Sequence, residues 1–190
     1  MTHHLVIDIE TLSTSADAMI LEFAAILLRP DGTTSEVGEF VANPKGHTST
    51  ETINFHQEKT DLFHRYFRSI DSHRYFHYII TELNSLTAGL ESDIIVWAWG
   101  SDFDFPILRT TCEVAEIKLL PSVPYQNFRC LRTFANSFLS KQELPKKPGN
   151  YHSAFVDCRW ELEVLKLALA KHKALQEIAE QWNSRNSSTS

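Results

Sequence analysis

Leu5-Val6-Ile7-Asp8-Ile9-Glu10-Thr11 is a short apolar strand that ends in two acids. Residues i and i+2 of a strand point to the same face, so Asp8 and Glu10 project together, about 7 Å apart along the chain. Neighbouring carboxylates repel one another unless a cation neutralises them. Hard divalent ions such as Mg2+ and Mn2+ take all-oxygen ligands. The pair is therefore half of a metal site or a solvated strand end, and a tripeptide this short leaves both readings open.

Working outward, Ile20 to Leu28 reads as a second, more apolar strand closed by Pro30-Asp31-Gly32, and about Ser35 to Val41 as a third. The Asp31-Gly32 turn between two β-rich runs is a hairpin signal. From about Thr50 the pattern turns helical. Phe76, Ile79, Leu83, Leu86 and Leu90 keep the spacing of one buried helix face. Asp93 to Trp99 is a near-continuous apolar run, suited to a central strand covered on both sides. Helical segments follow at about 102–116, 131–140 and 154–172, with loops at Pro121–Pro124 and Lys146–Gly149. A three-strand meander followed by α/β crossovers implies a mixed sheet with helices packed on it. One domain over residues 1–180, followed by a polar, disordered tail over 181–190, is the economical division.

The chain has 190 residues, 43% of them hydrophobic and 22% charged, with a formal net charge of −6. That balance excludes a strongly basic nucleic-acid coat and a polybasic membrane-surface protein. The charge is uneven, however: residues 121–175 hold nine Lys and Arg against four Asp and Glu. Cys112, Cys130 and Cys158 lack disulfide or zinc-ribbon spacing, which fits reduced thiols and a cytoplasmic location. Met1-Thr2-His3-His4 runs directly into the first strand, with no signal-peptide pattern.

Two further acidic motifs follow. In Trp97-Ala98-Trp99-Gly100-Ser101-Asp102-Phe103-Asp104, an apolar strand meets a helix that Ser101 or Asp102 can cap, with Asp104 in its first turn. Acids there also complement the helix dipole, but a strand-to-helix junction is where open α/β sheets place ligand groups. In Tyr151-His152-Ser153-Ala154-Phe155-Val156-Asp157, Ser153 is an N-cap that sets Asp157 in the first turn of the last long helix. The other histidines, His56 among them, show no ligand spacing and default to the surface.

In this order and spacing, Asp8, Glu10, Asp104, His152 and Asp157 resemble the five-residue signature of DEDDh-type 3′-to-5′ exonucleases of the ribonuclease H-like superfamily. The resemblance covers about residues 4–172. Ile20 to Ile26, Trp97 to Leu108 and Arg129-Cys130-Leu131-Arg132-Thr133 are similar to the subgroup of the phage T4 dexA-type exonuclease and the mycobacterial exoribonuclease. One departure is the turn before Phe103-Asp104, which reads Gly100-Ser101-Asp102 instead of an Asn-Gly-like turn.

The resemblance implies an α/β ribonuclease H-like mixed β-sheet with helices on both faces. It implies two divalent cations, Mg2+ or Mn2+, about 3.5–4 Å apart, one activating a water and one stabilising the leaving oxygen. Asp8 would bridge both, Glu10 and Asp157 would complete one, Asp104 would hold the other, and His152 would be the general base, with an ordinary pKa of about 6.5. Thr11, Leu12 and Phe103 are candidate substrate contacts, and Glu22 a candidate support for the site. The expected substrate is the 3′ end of single-stranded nucleic acid, DNA narrowly favoured over RNA, and a homodimer is left open. The competing classes are a catalytically silent ribonuclease H-like nucleic-acid-binding module and a metal-dependent hydrolase of small nucleotides. A silent module is expected to have lost a ligand, and here all five positions are filled.

Overall fold

Alternation along the first strand divides the molecule into two apolar layers. In the computed structural model, which describes residues 2–90, 93–149 and 152–187, β1 (His3–Thr11) sends Leu5, Ile7 and Ile9 to one side and Val6 to the other. β2 (Ile20–Leu28) and β3 (Thr34–Phe40) follow as an antiparallel meander. β4 (Ile94–Ala98) then returns parallel to β1, and β5 (Phe128–Cys130) lies parallel to β4. The strand order is β3-β2-β1-β4-β5. It is the mixed sheet expected, with β5 as a fifth strand that the sequence reading did not include.

Among the described residues, six α-helices cover it. α1 (Thr50–Lys59) and α2 (Leu62–Arg68) close the end of the sheet beyond β1, where Leu12 and Leu21 meet Leu62 and Tyr66. α3 (Phe76–Leu86) and α4 (Ser101–Val114) pack on the Leu5–Ile7 face through Ile79, Leu83 and Leu108. α5 (Leu131–Asn136) and α6 (Ala154–Ser187) cover the Val6 face, where Leu131, Cys158 and Leu162 surround Trp97. Helices therefore lie on both faces, each burying one apolar stripe, which is the main favourable contribution to folding.

Several elements differ from the sequence reading. β5 is three residues long and only partly buried, too short for a periodicity signal. α3 stops before Leu90, because Gly89 takes φ +79° and turns the chain. Gly100, not Ser101 or Asp102, occupies the cap of α4. α6 continues to Ser187, fifteen residues past the expected 172 and through the first part of the expected tail. Helix formers such as Leu175, Gln176, Glu177, Ala179 and Glu180 carry it onward. Residues 188–190 of that tail lie outside the described residues.

β3 and α6 meet at a glycine. A Cβ on Gly38 would stand 2.3 Å from Cε2 of Phe155, far inside contact distance, so α6 rests on bare backbone there.

Candidate active site

The acids of β1 point where the alternation says they must, toward α6. The pairing register of β1 and β2 shifts between Glu10 and Thr11, a bulge of the kind that re-aims a strand end beside a functional site. Glu10 sits opposite Glu22 of β2. Like charges in that relation repel, and Arg65 of α2 resolves half the conflict with its Nη1 2.9 Å from Glu22 Oε2. Glu10, without such a partner, faces a cleft of about 630 Å³ at the C-terminal ends of β1 and β4. That is where parallel sheets bind their ligands.

Asp104 reaches the same cleft from the first turn of α4, and Asp157 from the first turn of α6. One helical turn beyond Asp157 stands Glu161, 2% exposed, which the sequence reading passed over. Its signal was legible: Asp157 and Glu161 are four apart, hence on one helix face, and that face continues inward as Val164 and Ala168. Asp8 Oδ2 and Glu161 Oε2 are shut off from solvent with no hydrogen-bond partner among the described residues. Five carboxylates thus stand in the interior of the cleft, not four, with the exposed Glu51 and Asp102 on its rim.

His152 lies just ahead of α6, its Nδ1 3.9 Å from Glu10 Oε2. Glu10, His152 and Asp157 bring ligand atoms within 4.8 Å of one another. The imidazole meets two rings of α1 edge-on, Phe55 at 4.8 Å and His56 at 6.1 Å between centroids. His56 is a correction to the sequence reading. It is buried, and its Nε2 is 2.9 Å from the Thr11 carbonyl, tying α1 to the end of β1. Lys147 contributes the nearest positive charge, its Nζ 3.0 Å from Asp157 Oδ1 and over the Trp160 ring.

Glu22 has a definite structural task. Its Oε1 accepts from the Ser153 hydroxyl at 3.2 Å, and its Oε2 from the Ala154 amide at 3.3 Å. Ser153 stands in the expected cap position just ahead of α6, its carbonyl accepting from the Asp157 amide, and Glu22 adds to the cap by accepting from the Ser153 hydroxyl and the Ala154 amide. Arg65 completes the junction by donating Nη2 to the His152 carbonyl at 2.5 Å. Neither Arg65 nor this linkage was legible beforehand.

The expected substrate contacts separate. Thr11 and Phe103 line the cleft, although Phe103 also packs on the core and the Thr11 hydroxyl donates to the Ser13 carbonyl. Leu12 does not line the cleft; it turns into the apolar cluster under α2. Tyr151, quoted in the third motif, lies outside the described residues.

Electrostatics follow from crowding. Burial, then the neighbouring acids Glu161, Asp104, Glu10 and Asp157, push the Asp8 carboxyl well above its ordinary range. Burial and Asp104 do the same to Glu161. Glu10 is raised by burial, Asp157 and Glu22. Burial raises Asp104 to about 7 even though backbone amides pull it down. Asp157 is raised by burial, against the opposing pull of Lys147. His152 is lowered, first by burial and then by Lys147. A buried all-oxygen donor set held at such electrostatic cost fits hard divalent cations of the Mg2+ or Mn2+ kind.

The model of one protein family, described as the 3′-5′ exoribonuclease Rv2179c-like domain, matches residues 3–169. The chain belongs to this family. No curated protein sequence matches it significantly. Among solved structures, E. coli exonuclease I in complex with a dT13 oligonucleotide superposes with a TM-score of 0.65 at 12% identity, over 94% of this chain and 43% of that one. Cell-death related nuclease 4 gives 0.60 at 17% identity, over 88% and 64%. The nuclease domain of 3′hExo, a DEDDh family member bound to rAMP, gives 0.57 at 14% identity, over 85% and 88%. At these identities the likeness is one of fold, and this chain spans less than two thirds of the first two proteins. The family placement agrees with the DEDDh resemblance of the sequence, and the fold is that of the ribonuclease H-like exonucleases.

Proposed function

We propose that this protein is a metal-dependent 3′-to-5′ exonuclease that removes nucleotides from single-stranded ends. The observation that carries the reading is the convergence of Asp8, Glu10, Asp104, Asp157 and His152, from three separate stretches of chain, on one cleft in a chain of this family. The family's description favours RNA as substrate, against the narrow lean to DNA from the sequence alone.

Asp8, Glu10, Asp104 and Asp157 would hold the divalent cations. When bound, such ions lower the pKa of a water and stabilise the charge on a leaving oxygen. The protein's own part is to place a base and exclude alternatives. His152 is held by the Arg65 bond to its carbonyl and by the edges of Phe55 and His56. Burial and Lys147 keep the ring neutral near pH 7, so a ring nitrogen can take the proton of an attacking water. Lys147 and Arg132 on the cleft wall give a phosphate positive neighbours in an acidic protein. A strand held this way binds with salt dependence.

Three free cysteines, Cys112, Cys130 and Cys158, support a reducing, cytoplasmic location. No helix among the described residues is long and apolar enough to cross a membrane. The homodimer open from the resemblance is tested by sedimentation of the purified protein. For the activity, single-stranded RNA and DNA labelled at either end are incubated with Mn2+ or Mg2+. Stepwise loss from the 3′ end, abolished by EDTA and faster on RNA, is expected. Loss from the 5′ end, or turnover in EDTA, overturns the reading.

A further inference from the structure

Glu161 stands where the packing of α6 calls for an apolar side chain. Around it the helix buries Cys158, Leu162, Val164 and Leu165, all fully or nearly fully enclosed, yet position 161 carries an acid that is 2% exposed. A carboxylate without a compensating partner is costly to bury. The neighbours of Glu161 make matters worse: the groups nearest it in charge are Asp8, Asp104 and Asp157, all acidic. The one nearby cation, Lys147, is paired with Asp157. Glu161 Oε2 and Asp8 Oδ2 have no hydrogen-bond partner among the described residues.

Helix geometry shows where Glu161 acts. Asp157 looks toward Glu10 and His152, while Glu161, one turn deeper, looks toward Asp8 and Asp104. Each half of the cleft is thereby supplied with one carboxylate from α6. The charge of the five interior carboxylates is matched by two divalent cations together with Lys147, apart from the exposed Glu51, Asp102 and Arg132 on the rim. We propose that Glu161 is a fifth carboxylate of the cation site, serving the cation on the Asp8–Asp104 side, so that the chain holds both divalent ions before any nucleic acid arrives. The inference rests on the metal-dependent reading above and adds a residue and an order of loading to it.

The test is a Mn2+ titration of the full chain without nucleic acid, with free Mn2+ followed by electron paramagnetic resonance. The wild type is expected to bind two Mn2+. Glu161→Gln, which keeps the shape and removes the charge, is expected to bind one as before and the other at least tenfold more weakly. Thermal unfolding in EDTA serves as the fold control, and removal of an unpaired buried acid leaves Glu161→Gln and Glu161→Leu at least as stable as the wild type. If Glu161→Gln does not fold, Glu161→Leu is titrated with the same expectation. A wild type that binds a single Mn2+ overturns the proposal, and so does a folded variant that titrates like the wild type. Nuclease assays on the same samples keep the two readings apart. An inactive wild type refutes the exonuclease, while an unchanged titration in an active Glu161 variant refutes the role of Glu161 alone.

Discussion

The two sides of the cleft are made of the same carboxylates and differ in what stands next to them. On the histidine side, Glu10 and Asp157 have His152 and Lys147 within 4 Å, and Arg65 holds the backbone behind them. On the α4 side, Asp8, Asp104 and Glu161 form no ion pair with any Lys or Arg among the described residues. A side with its own cationic groups tolerates the absence of metal and offers groups that move protons and meet phosphate. A side without them depends on metal for its charge balance. Under the proposed function, the contrast assigns chemistry to one wall and ion retention to the other.

That separation is open to attack at several points. Asp8→Ala removes the carboxylate that would serve both ions in the proposed mechanism, so Mn2+ binding should be lost and turnover should fall at least about a thousandfold. Retention of both Mn2+ ions would end the comparison. His152→Ala acts on the other wall. Turnover should drop about a hundredfold or more while the Mn2+ titration stays as in the wild type, and a variant that loses metal instead would make His152 a ligand.

Arg65→Ala leaves Glu22 buried without its partner and frees the His152 carbonyl. Since Arg65 is partly exposed, the expected loss of stability is modest, about 2 kcal/mol. Turnover should fall about tenfold with Mn2+ affinity unchanged, and lysine at this position should restore stability better than turnover because it lacks the forked donor geometry.

The smallest effect is a pH dependence of the metal-free protein. In EDTA, burial holds the cleft acids above their ordinary values, Asp104 at about 7. The folded chain then binds more protons than the unfolded one, and their contribution is full below about pH 4 and lost as pH rises through about 7. The melting temperature in EDTA should therefore decline from pH 5 to pH 8 by a few degrees, and saturating Mn2+ should remove the decline. A melting temperature that rises over that interval in EDTA would show the cleft acids to be compensated already.

How much of this was legible beforehand depended on how local the signal was. Asp8, Glu10, Asp104 and Asp157 were readable because strand alternation and helix-start chemistry act over a few residues. The sheet was readable for the same reason, except for β5, whose three residues are too few to carry a period. Glu161 was readable in principle from its four-residue spacing to Asp157. It was missed because an acid inside a long amphipathic helix resembles an ordinary solvated position until the packing of α6 against β1 is known. Arg65 and His56 were out of reach. Arg65 meets His152 across 87 positions and His56 meets Thr11 across 45, so their partners exist only after the chain has closed.

Gly38 lies on β3 at the edge of the sheet, carries no functional group and never approaches the cleft. It nonetheless sets the clearance between the sheet and α6, because the Phe155 ring packs against it two residues before Asp157. A methyl group there must displace the Phe155 ring, and a ring that keeps its place lifts the start of α6 and with it Asp157, where metal sites tolerate displacements of only a few tenths of an ångström. In a substitution scan scored by activity, Gly38 would consequently group with the carboxylates. Such a scan would report the tolerance of the scaffold alongside the chemistry, and only a metal titration or a melting curve would tell the two apart.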